Sequence, residues 1–254
     1  MPTVDLETTE ARAAAAGGAE KRAYVRRIFS EIAPRYDLLN HLLSFNIDRG
    51  WRRRAIATLD PARTPDGVFL DLCAGTLDVS RQLSRSPGFR GTVLAADFAE
   101  PMLRAGRAKA PRSVVAPVTA DALELPLADN SVAGAIVAFG IRNVASLAHG
   151  LSEVYRVLRP GGRFVILEFS TPPSRFARGL YHAYSHIVLP AVGRVVSGHP
   201  TAYRYLPESV ARFPVQEALG RAMRDAGFTD VRWESLTMGI VAIHSGDKPT
   251  ARRR

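Results

Sequence analysis

Val68-Phe69-Leu70-Asp71-Leu72 is an apolar, strand-like run that breaks into Cys73-Ala74-Gly75-Thr76-Leu77-Asp78, and a second run, Thr92-Val93-Leu94-Ala95-Ala96, ends in the acidic Asp97. A glycine in the first strand-to-helix turn lets backbone approach a ligand, and a carboxylate ending the next strand can accept hydrogen bonds from both ribose hydroxyls. The pair therefore predicts a nucleotide-like cofactor. A dinucleotide would want a Gly-x-Gly-x-x-Gly loop, so that its pyrophosphate rests on bare backbone at the helix N-terminus; here Gly75 stands alone. Asp71 and Asp78, which would repel a pyrophosphate, suit the sulfonium and ammonium of S-adenosylmethionine. The same carboxylates would also serve as helix caps. Their common placement after apolar strands is what points to a methyl-transfer cofactor held by Asp71, Gly75, Asp78 and Asp97.

Outward from this stretch, strand-like and helix-like segments alternate, the pattern of a mostly parallel sheet covered on both faces. Strands are expected at Val68–Leu72, Thr92–Asp97, Val114–Thr119, Val132–Phe139 and Arg163–Phe169, with helices at Leu77–Ser84, Pro101–Lys109 and Ser146–Leu158. Pro160-Gly161-Gly162 reads as a turn between the last helix and the fifth strand. Gln216–Ala226 reads as a helix, and Phe228–Glu234 with Met238–His244 as an antiparallel hairpin.

Residues 1–20, alanine- and glycine-rich near their end, read as a disordered leader. One domain follows over 21–246, and 247–254 form a basic tail. Within the domain, 21–60 predict an N-terminal helical cap in two or three short helices over the cofactor, and 171–213, rich in proline and aromatics with one acid, Glu208, predict a lid or substrate insertion. At 254 residues and 46% apolar content the chain can build an ordinary core. The single cysteine, Cys73, excludes an intrachain disulfide and a cysteine-based metal site, and fits a reducing cytoplasm. No apolar run approaches the roughly 20 residues that span a bilayer. The six histidines include His182 and His186 at helical spacing, but no third ligand accompanies them and no metal is expected. Net charge is +10, which favours nucleic acid or an anionic membrane surface as a partner; much of it lies at Arg49, Arg52, Arg53 and Arg54.

More specific stretches are Ile28-Phe29 to Arg35-Tyr36-Asp37 with Asn40 and Ser44; Phe139-Gly140-Ile141-Arg142-Asn143-Val144; Tyr155 to Gly162; Glu168-Phe169-Ser170; and Tyr203-Arg204-Tyr205-Leu206-Pro207-Glu208-Ser209. On these the chain resembles the quinone-biosynthesis C-methyltransferases, the group containing the bacterial ubiquinone and menaquinone methyltransferase, from about Val25 to Gly246. The resemblance implies an α/β, class I S-adenosylmethionine-dependent methyltransferase fold: a Rossmann-like, seven-stranded, mostly parallel sheet whose last strand is antiparallel. It implies that Thr76 contacts the cofactor, Asp97 binds its ribose, and Asp121-Ala122 lie beside the adenine. The chain departs from the family's pattern twice, with Leu77 where glycine is usual and Ala138 where a cofactor-contacting serine is usual.

The activity implied is methylation of a ring carbon of a reduced, prenylated quinol. The quinol, not the quinone, is nucleophilic at carbon once a hydroxyl is deprotonated. Help would come from positioning, phenolate stabilisation and removal of the ring proton. Arg142 is the expected phenolate stabiliser because its charge is permanent; Asn143 and Tyr36 would orient the hydroxyl, and Asn40, Phe139, Tyr203 and Tyr205 would line the acceptor. Structural duties for Arg142 and Asn143 would be capping the next helix and pairing with Asp37. The other readings are a soluble phenolic or quinonoid acceptor, a nucleic-acid methyltransferase, for which no base-amine motif or Pro-Cys loop is present, and a non-catalytic cofactor-fold binding protein. A prenylated acceptor implies peripheral attachment to the inner face of the membrane through 21–54 and 171–213, with Tyr181, Ile187, Val188 and Leu189 covering the tail. Homodimerisation is left open.

Overall fold

The computed structural model describes residues 18–33, 36–37, 44, 46–176, 178–179 and 200–250, without the side chains of 18, 19, 200–204 and 206. Seven strands, β1 (Val68–Leu72), β2 (Thr92–Asp97), β3 (Val115–Thr119), β4 (Val132–Ala138), β5 (Leu158–Phe169), β6 (Thr229–Leu236) and β7 (Val241–Asp247), form one sheet in the order β3-β2-β1-β4-β5-β7-β6. The first five are mutually parallel, and β7 runs antiparallel to both β5 and β6. The described helices are α1 (Gly18–Ile32), α2 (Asp48–Leu59), α3 (Asp78–Leu83), α4 (Glu100–Gly106), α5 (Leu147–Val157), α6 (Pro200–Arg212) and α7 (Gln216–Asp225).

The strand sequences explain the layering. Along β1, Phe69 packs into one core while Leu70 and Leu72 pack into the other, and along β5, Val165 and Leu167 oppose Phe164 and Ile166. A strand buried on both faces reads as a continuous apolar run. The first core is closed by Trp51, Ala55, Ile56 and Leu59 of α2 with Leu83 of α3; the second by Leu151, Val154 and Val157 of α5 with Leu219 and Met223 of α7. The edge strand β6 is largely exposed and carries Asp230, Arg232 and Glu234, charges that discourage pairing with another sheet. Because β1 lies between β2 and β4, the strand order reverses there, and the crevice beyond its carboxyl end is where such sheets bind ligands.

Three details differ from the sequence expectation. The Pro160-Gly161-Gly162 turn is absorbed into β5: Leu158 pairs with Val132 and Arg163 with Gly134, so Arg159–Gly162 bulge out between paired residues. Gly161, at φ +79°, makes the bulge possible, and its N–H donates to the Lys248 carbonyl at 2.8 Å. The terminal hairpin does not simply extend the edge, since β7 inserts between β5 and β6. Helix α1 begins at Gly18, inside the stretch expected as leader, and α6 forms a helix through Pro207 within the expected insertion. Most of the leader, 180–199 of the insertion (with Tyr181, His182, His186, Ile187, Val188 and Leu189), Asn40 and 251–254 lie outside the described residues.

Candidate active site

At the carboxyl ends of β1 and β4 the backbone is held in left-handed conformations at Cys73 (φ +53°), Gly75 (φ +51°), Leu77 (φ +66°) and Phe139 (φ +61°). Such conformations on residues with a Cβ concentrate at sites whose surroundings enforce them. Leu77 is informative because it replaces the expected glycine yet keeps the glycine-like turn. That conformation costs about 1–2 kcal/mol for an L residue. The side chain is fully buried in the first core, which returns about 1.5–3 kcal/mol. The loop is thus preserved by packing rather than by flexibility. Behind it, a Cβ on Gly106 would stand 2.4 Å from the Thr76 carbonyl group, so α4 presses directly on the loop backbone.

The loop borders a cleft lined by Arg22, Cys73, Asp97, Phe98, Asp121, Ala122 and Asn143 among others. Asp97 is nearly buried; one carboxylate oxygen accepts from the Gly75 N–H at 2.9 Å and the other from the Ala99 N–H at 2.8 Å. Burial raises its carboxyl above the usual range, and these two amides oppose the rise. Each oxygen keeps a second lone pair for a ligand hydroxyl. Asp121 accepts from the Leu123 N–H at 2.9 Å and pairs with Arg22 of α1 at 2.5 Å. The neighbouring Lys21 donates to the Arg142 carbonyl at 2.8 Å, so α1 closes over the cavity from the N-terminal side. Arg22 and Lys21 carry no local motif and were invisible in the sequence. Asn143 turns its Oδ1 into a buried position with no hydrogen-bond partner among the described residues. Two carboxylates at the strand ends and an unanswered amide acceptor fit the ribose, adenine and ammonium donors of S-adenosylmethionine.

The other expected cofactor residues are placed differently. Asp71 points into the sheet-helix interface, where it accepts from the Ser80 hydroxyl at 2.6 Å, and it is not part of the cavity wall. Asp78 is held by Lys109 at 3.1 Å and lies 4.0 Å from Arg52. Thr76 donates to Asp37, which also pairs with Lys109, so the loop is tied to the N-terminal segment. Ala138 ends β4 opposite Leu167, away from the cavity lining.

Asp71 carries a pH prediction. Desolvation raises its carboxyl from 3.8 to about 7, against the pull of Ser80. A folded pKa above the unfolded one means the native state binds the extra proton between those values. Stability from this group is therefore complete below about pH 4 and declines as pH rises through about 7. Asp71→Asn, close in shape and always neutral, is expected to flatten that decline in Tm measured from pH 4 to 8; superimposable profiles for the two proteins would remove Asp71 as its source.

A second polar cluster lies where β4 and β5 end. Arg142, in the short helical turn Ile141–Asn143, is buried and pairs with Glu168 at 2.6 Å. Its guanidinium also donates to the Phe139 carbonyl at 2.5 Å and to Ser209 at 3.3 Å. The partner is Glu168, not Asp37. Burial raises the Glu168 carboxyl while Arg142 and two amides pull it back. Tyr36 and Tyr205 are close enough to act on the Arg142 charge. Burial pushes the Tyr205 phenol up to about 12, and its ring packs on Tyr24 with centroids 5.7 Å apart. The Tyr205 hydroxyl and the Ser170 hydroxyl are buried with no partner among the described residues. Phe139 packs against Phe169 at 4.8 Å and Trp51 at 6.0 Å. Tyr203 falls in α6, but its side chain is outside the described set. Glu168, Ser170 and Ser209 all sat in quoted motifs, yet no sequence signal gave them a role.

The ubiE/COQ5 methyltransferase family matches residues 18–248. A protein named demethylmenaquinone methyltransferase from Thermus thermophilus is 50% identical over 225 residues, covering 87% of this chain and all of the relative. A ubiquinone/menaquinone biosynthesis C-methyltransferase from Paracoccus denitrificans is 43% identical, covering 90% of this chain and 92% of the relative. Among solved structures, a chain of the complex between the Haloferax volcanii Trm112 methyltransferase activator and a methyltransferase superposes with a TM-score of 0.62 at 18% identity, covering 87% of this chain and 97% of that one. Haemonchus contortus phosphoethanolamine N-methyltransferase 2, solved with S-adenosylhomocysteine, gives 0.55 at 15% identity, covering 77% of this chain and 52% of that one. At those identities the structures speak to the fold alone.

Proposed function

We propose, from the premise that this chain belongs to the ubiE/COQ5 methyltransferase family and is an S-adenosylmethionine-dependent methyltransferase, that its acceptor is a reduced, prenylated demethylquinol methylated at ring carbon. The observation that carries the acceptor class is the 50% identity that extends over the full length of a relative named for demethylmenaquinone.

S-adenosylmethionine supplies an electrophilic methyl group. The chain's residues supply the setting. Gly75, Thr76, Asp97, Asp121 and Ala122 bind the cofactor, with Asp97 also fixing the Gly75 amide; Asp71 and Asp78 hold the frame of that loop through Ser80 and Lys109. The acceptor ring binds beside Arg142, where the unanswered hydroxyls of Tyr205 and Ser170 take up its hydroxyl groups, with Asn143 and Tyr36 orienting them. Asn40, Phe139 and Tyr203 complete the acceptor side. Arg142 lowers the cost of the phenolate, and Glu168 holds that guanidinium in place. The enzyme works peripherally on the inner face of a membrane, from which the prenyl tail does not have to leave.

Labelled S-adenosylmethionine offered with reduced demethylmenaquinols, reduced demethoxy-type benzoquinols and tRNA tests the reading: label in a quinol ring carbon is expected, and label in none of the quinols would end it. Arg142→Lys is expected to leave cofactor affinity unchanged and to lower turnover by about tenfold or more, because Glu168, Phe139 and Ser209 would use up the three donors of an ammonium and leave none for the acceptor, whereas the guanidinium has five. Equal losses in cofactor affinity would move Arg142 into the cofactor pocket.

A further inference from the structure

Helix α1 touches both halves of the site through neighbouring residues. Arg22 reaches Asp121, just past β3, at 2.5 Å, and its side chain forms part of the cleft wall together with Asp97 and Asp121. Lys21 donates to the Arg142 carbonyl at 2.8 Å, in the turn Ile141–Asn143 that follows β4. That turn divides the two halves: Asn143 lines the cofactor cleft, and Arg142 belongs to the cluster around Glu168. Adjacent side chains of α1 thus answer to the two halves separately, Arg22 to the cofactor cleft and Lys21 to the arginine of the second cluster.

The rest of the segment is fastened across the same strand ends. Tyr24, Val25 and Ile28 are buried with Tyr205 of α6, and Phe98, which lines the cofactor cleft, packs against them. Beyond the helix, Asp37 accepts from Thr76 of the β1 loop and pairs with Lys109. The outer face of α1 carries Arg26 and Arg27 into solvent. The polar fastenings are weak ones. The Arg22 and Asp121 side chains are 51% and 28% exposed, and ion pairs open to water hold loosely. Burial first, and then the Arg142 charge, lower the Lys21 amine below its usual range, the mark of an ammonium set beside a like charge. Both costs fall when the site fills. An adenosine lying against Arg22 screens its ion pair from water, and an anion forming beside Arg142 offsets the excess positive charge.

We propose that α1 is a clamp which the cofactor closes, and that the closed clamp completes the acceptor side, so that the two substrates bind cooperatively through Arg22 and Lys21. A ligand shifts a two-state element only by its preference for one of the states. Here the preference comes from Arg22, whose guanidinium plane suits an adenine face while its fork holds the Asp121 carboxylate, and which the cofactor meets only when α1 is docked. Docking also brings Lys21 to the Arg142 turn and Tyr24 against Tyr205. By linkage, the acceptor then tightens the cofactor by the factor with which the cofactor tightens the acceptor. Arg22 and Lys21 are positioning residues, and neither holds a reacting atom. The acceptor half rests on the proposed quinol site, whereas the cofactor half needs only the cofactor.

Trypsin reads the clamp directly. A docked helix shields its own backbone, so cleavage after Arg26 and Arg27, followed by mass spectrometry, tracks the population in which α1 is undocked. S-adenosylhomocysteine, the unreactive product, is expected to slow that cleavage in the full-length chain by about fivefold or more. Arg22→Gln should weaken S-adenosylhomocysteine binding by about fivefold or more in isothermal titration and lose the protection even at saturation. Arg22→Lys should keep part of both, and Arg26→Gln, on the outer face of the same helix, should bind as the parent does. For the coupling, the same titration is run with and without a reduced short-chain demethylmenaquinol. The quinol should tighten S-adenosylhomocysteine by about fivefold or more in the parent and far less in Lys21→Met, which keeps the stem and loses the charge. The proposal falls if S-adenosylhomocysteine leaves the cleavage unchanged, if Arg22→Gln binds it as the parent does, or if Arg26→Gln loses as much as Arg22→Gln. It falls too if a quinol that the parent methylates leaves that affinity unchanged. A parent that methylates no quinol, yet shows the protection and the Arg22 loss, would end the acceptor reading and leave the cofactor clamp standing.

Discussion

Glu168→Ala is expected to destabilise the protein by about 3–5 kcal/mol, the scale of breaking a buried ion pair by removing one partner. Glu168 is 2% exposed and the Arg142 side chain 7%. Arginine does not neutralise in a protein interior, so the orphaned guanidinium would keep, among the described residues, the Phe139 carbonyl, the Ser209 hydroxyl and the face of Phe169 but no counter-charge. Urea denaturation monitored by circular dichroism reads the loss, and a change below about 1 kcal/mol would mean that water reaches Arg142 freely. Two companions separate stability from chemistry. Glu168→Gln keeps an acceptor for Arg142 and should lie between parent and Ala. Replacing both partners by apolar residues, Arg142→Met with Glu168→Leu, removes the buried charges together and is expected to recover much of the lost stability. That double variant should remain inactive if Arg142 serves the acceptor, and full activity in it would reduce the pair to a packing feature.

The Glu168–Arg142 pair also marks how far the sequence could be read. The Arg142 side chain was recognisable as unusual because a permanent charge sat where a parallel strand ends, but the structural partner expected for it was Asp37, not Glu168. Glu168 lies at the end of the neighbouring strand, an adjacency that only the β4–β5 register supplies. The cofactor loop divided in the same way. Strand ends, the lone Gly75 and the acid ending β2 were legible, since they follow from apolar runs and turn chemistry, and Asp97 does line the cavity. Asp71 alternates with Leu70 and Leu72, so it shares the face that carries Phe69 and meets Ser80; which face of a strand turns toward the crevice is not written in its alternation. The arginine run at α2 was readable in principle. A period of 3.6 puts Arg52 on the Asp48 side and leaves Arg49 with Arg53 on the other, whereas counting the charges together as one patch missed the division. Leu77 shows the opposite case. It departs from the family's pattern, yet the residue is held at a positive φ and is anchored there by burial.

Asp97→Ala is expected to weaken S-adenosylmethionine binding by about 1–3 kcal/mol, roughly 5- to 150-fold in Kd, since charge-assisted bonds to the ribose hydroxyls are lost. The geometry adds a second consequence. Because the same carboxylate holds the Gly75 and Ala99 amides, the variant leaves two N–H groups at the site without their acceptor, each costing about 1–3 kcal/mol where water cannot replace it. The loss in the cofactor-free protein should therefore appear as a lower Tm, and the loss in affinity should exceed what ribose contacts alone supply. Asp97→Asn sorts the two contributions. Its amide oxygen can still accept from one backbone N–H while its NH₂ opposes the other, so stability should recover in part. Affinity should remain low, because a neutral amide offers one acceptor where the diol calls for two. Isothermal titration with S-adenosylmethionine alongside thermal melts of the three proteins gives both numbers. A folded Asp97→Ala with the parent's Kd would detach Asp97 from the cofactor and leave it as a brace for the loop alone.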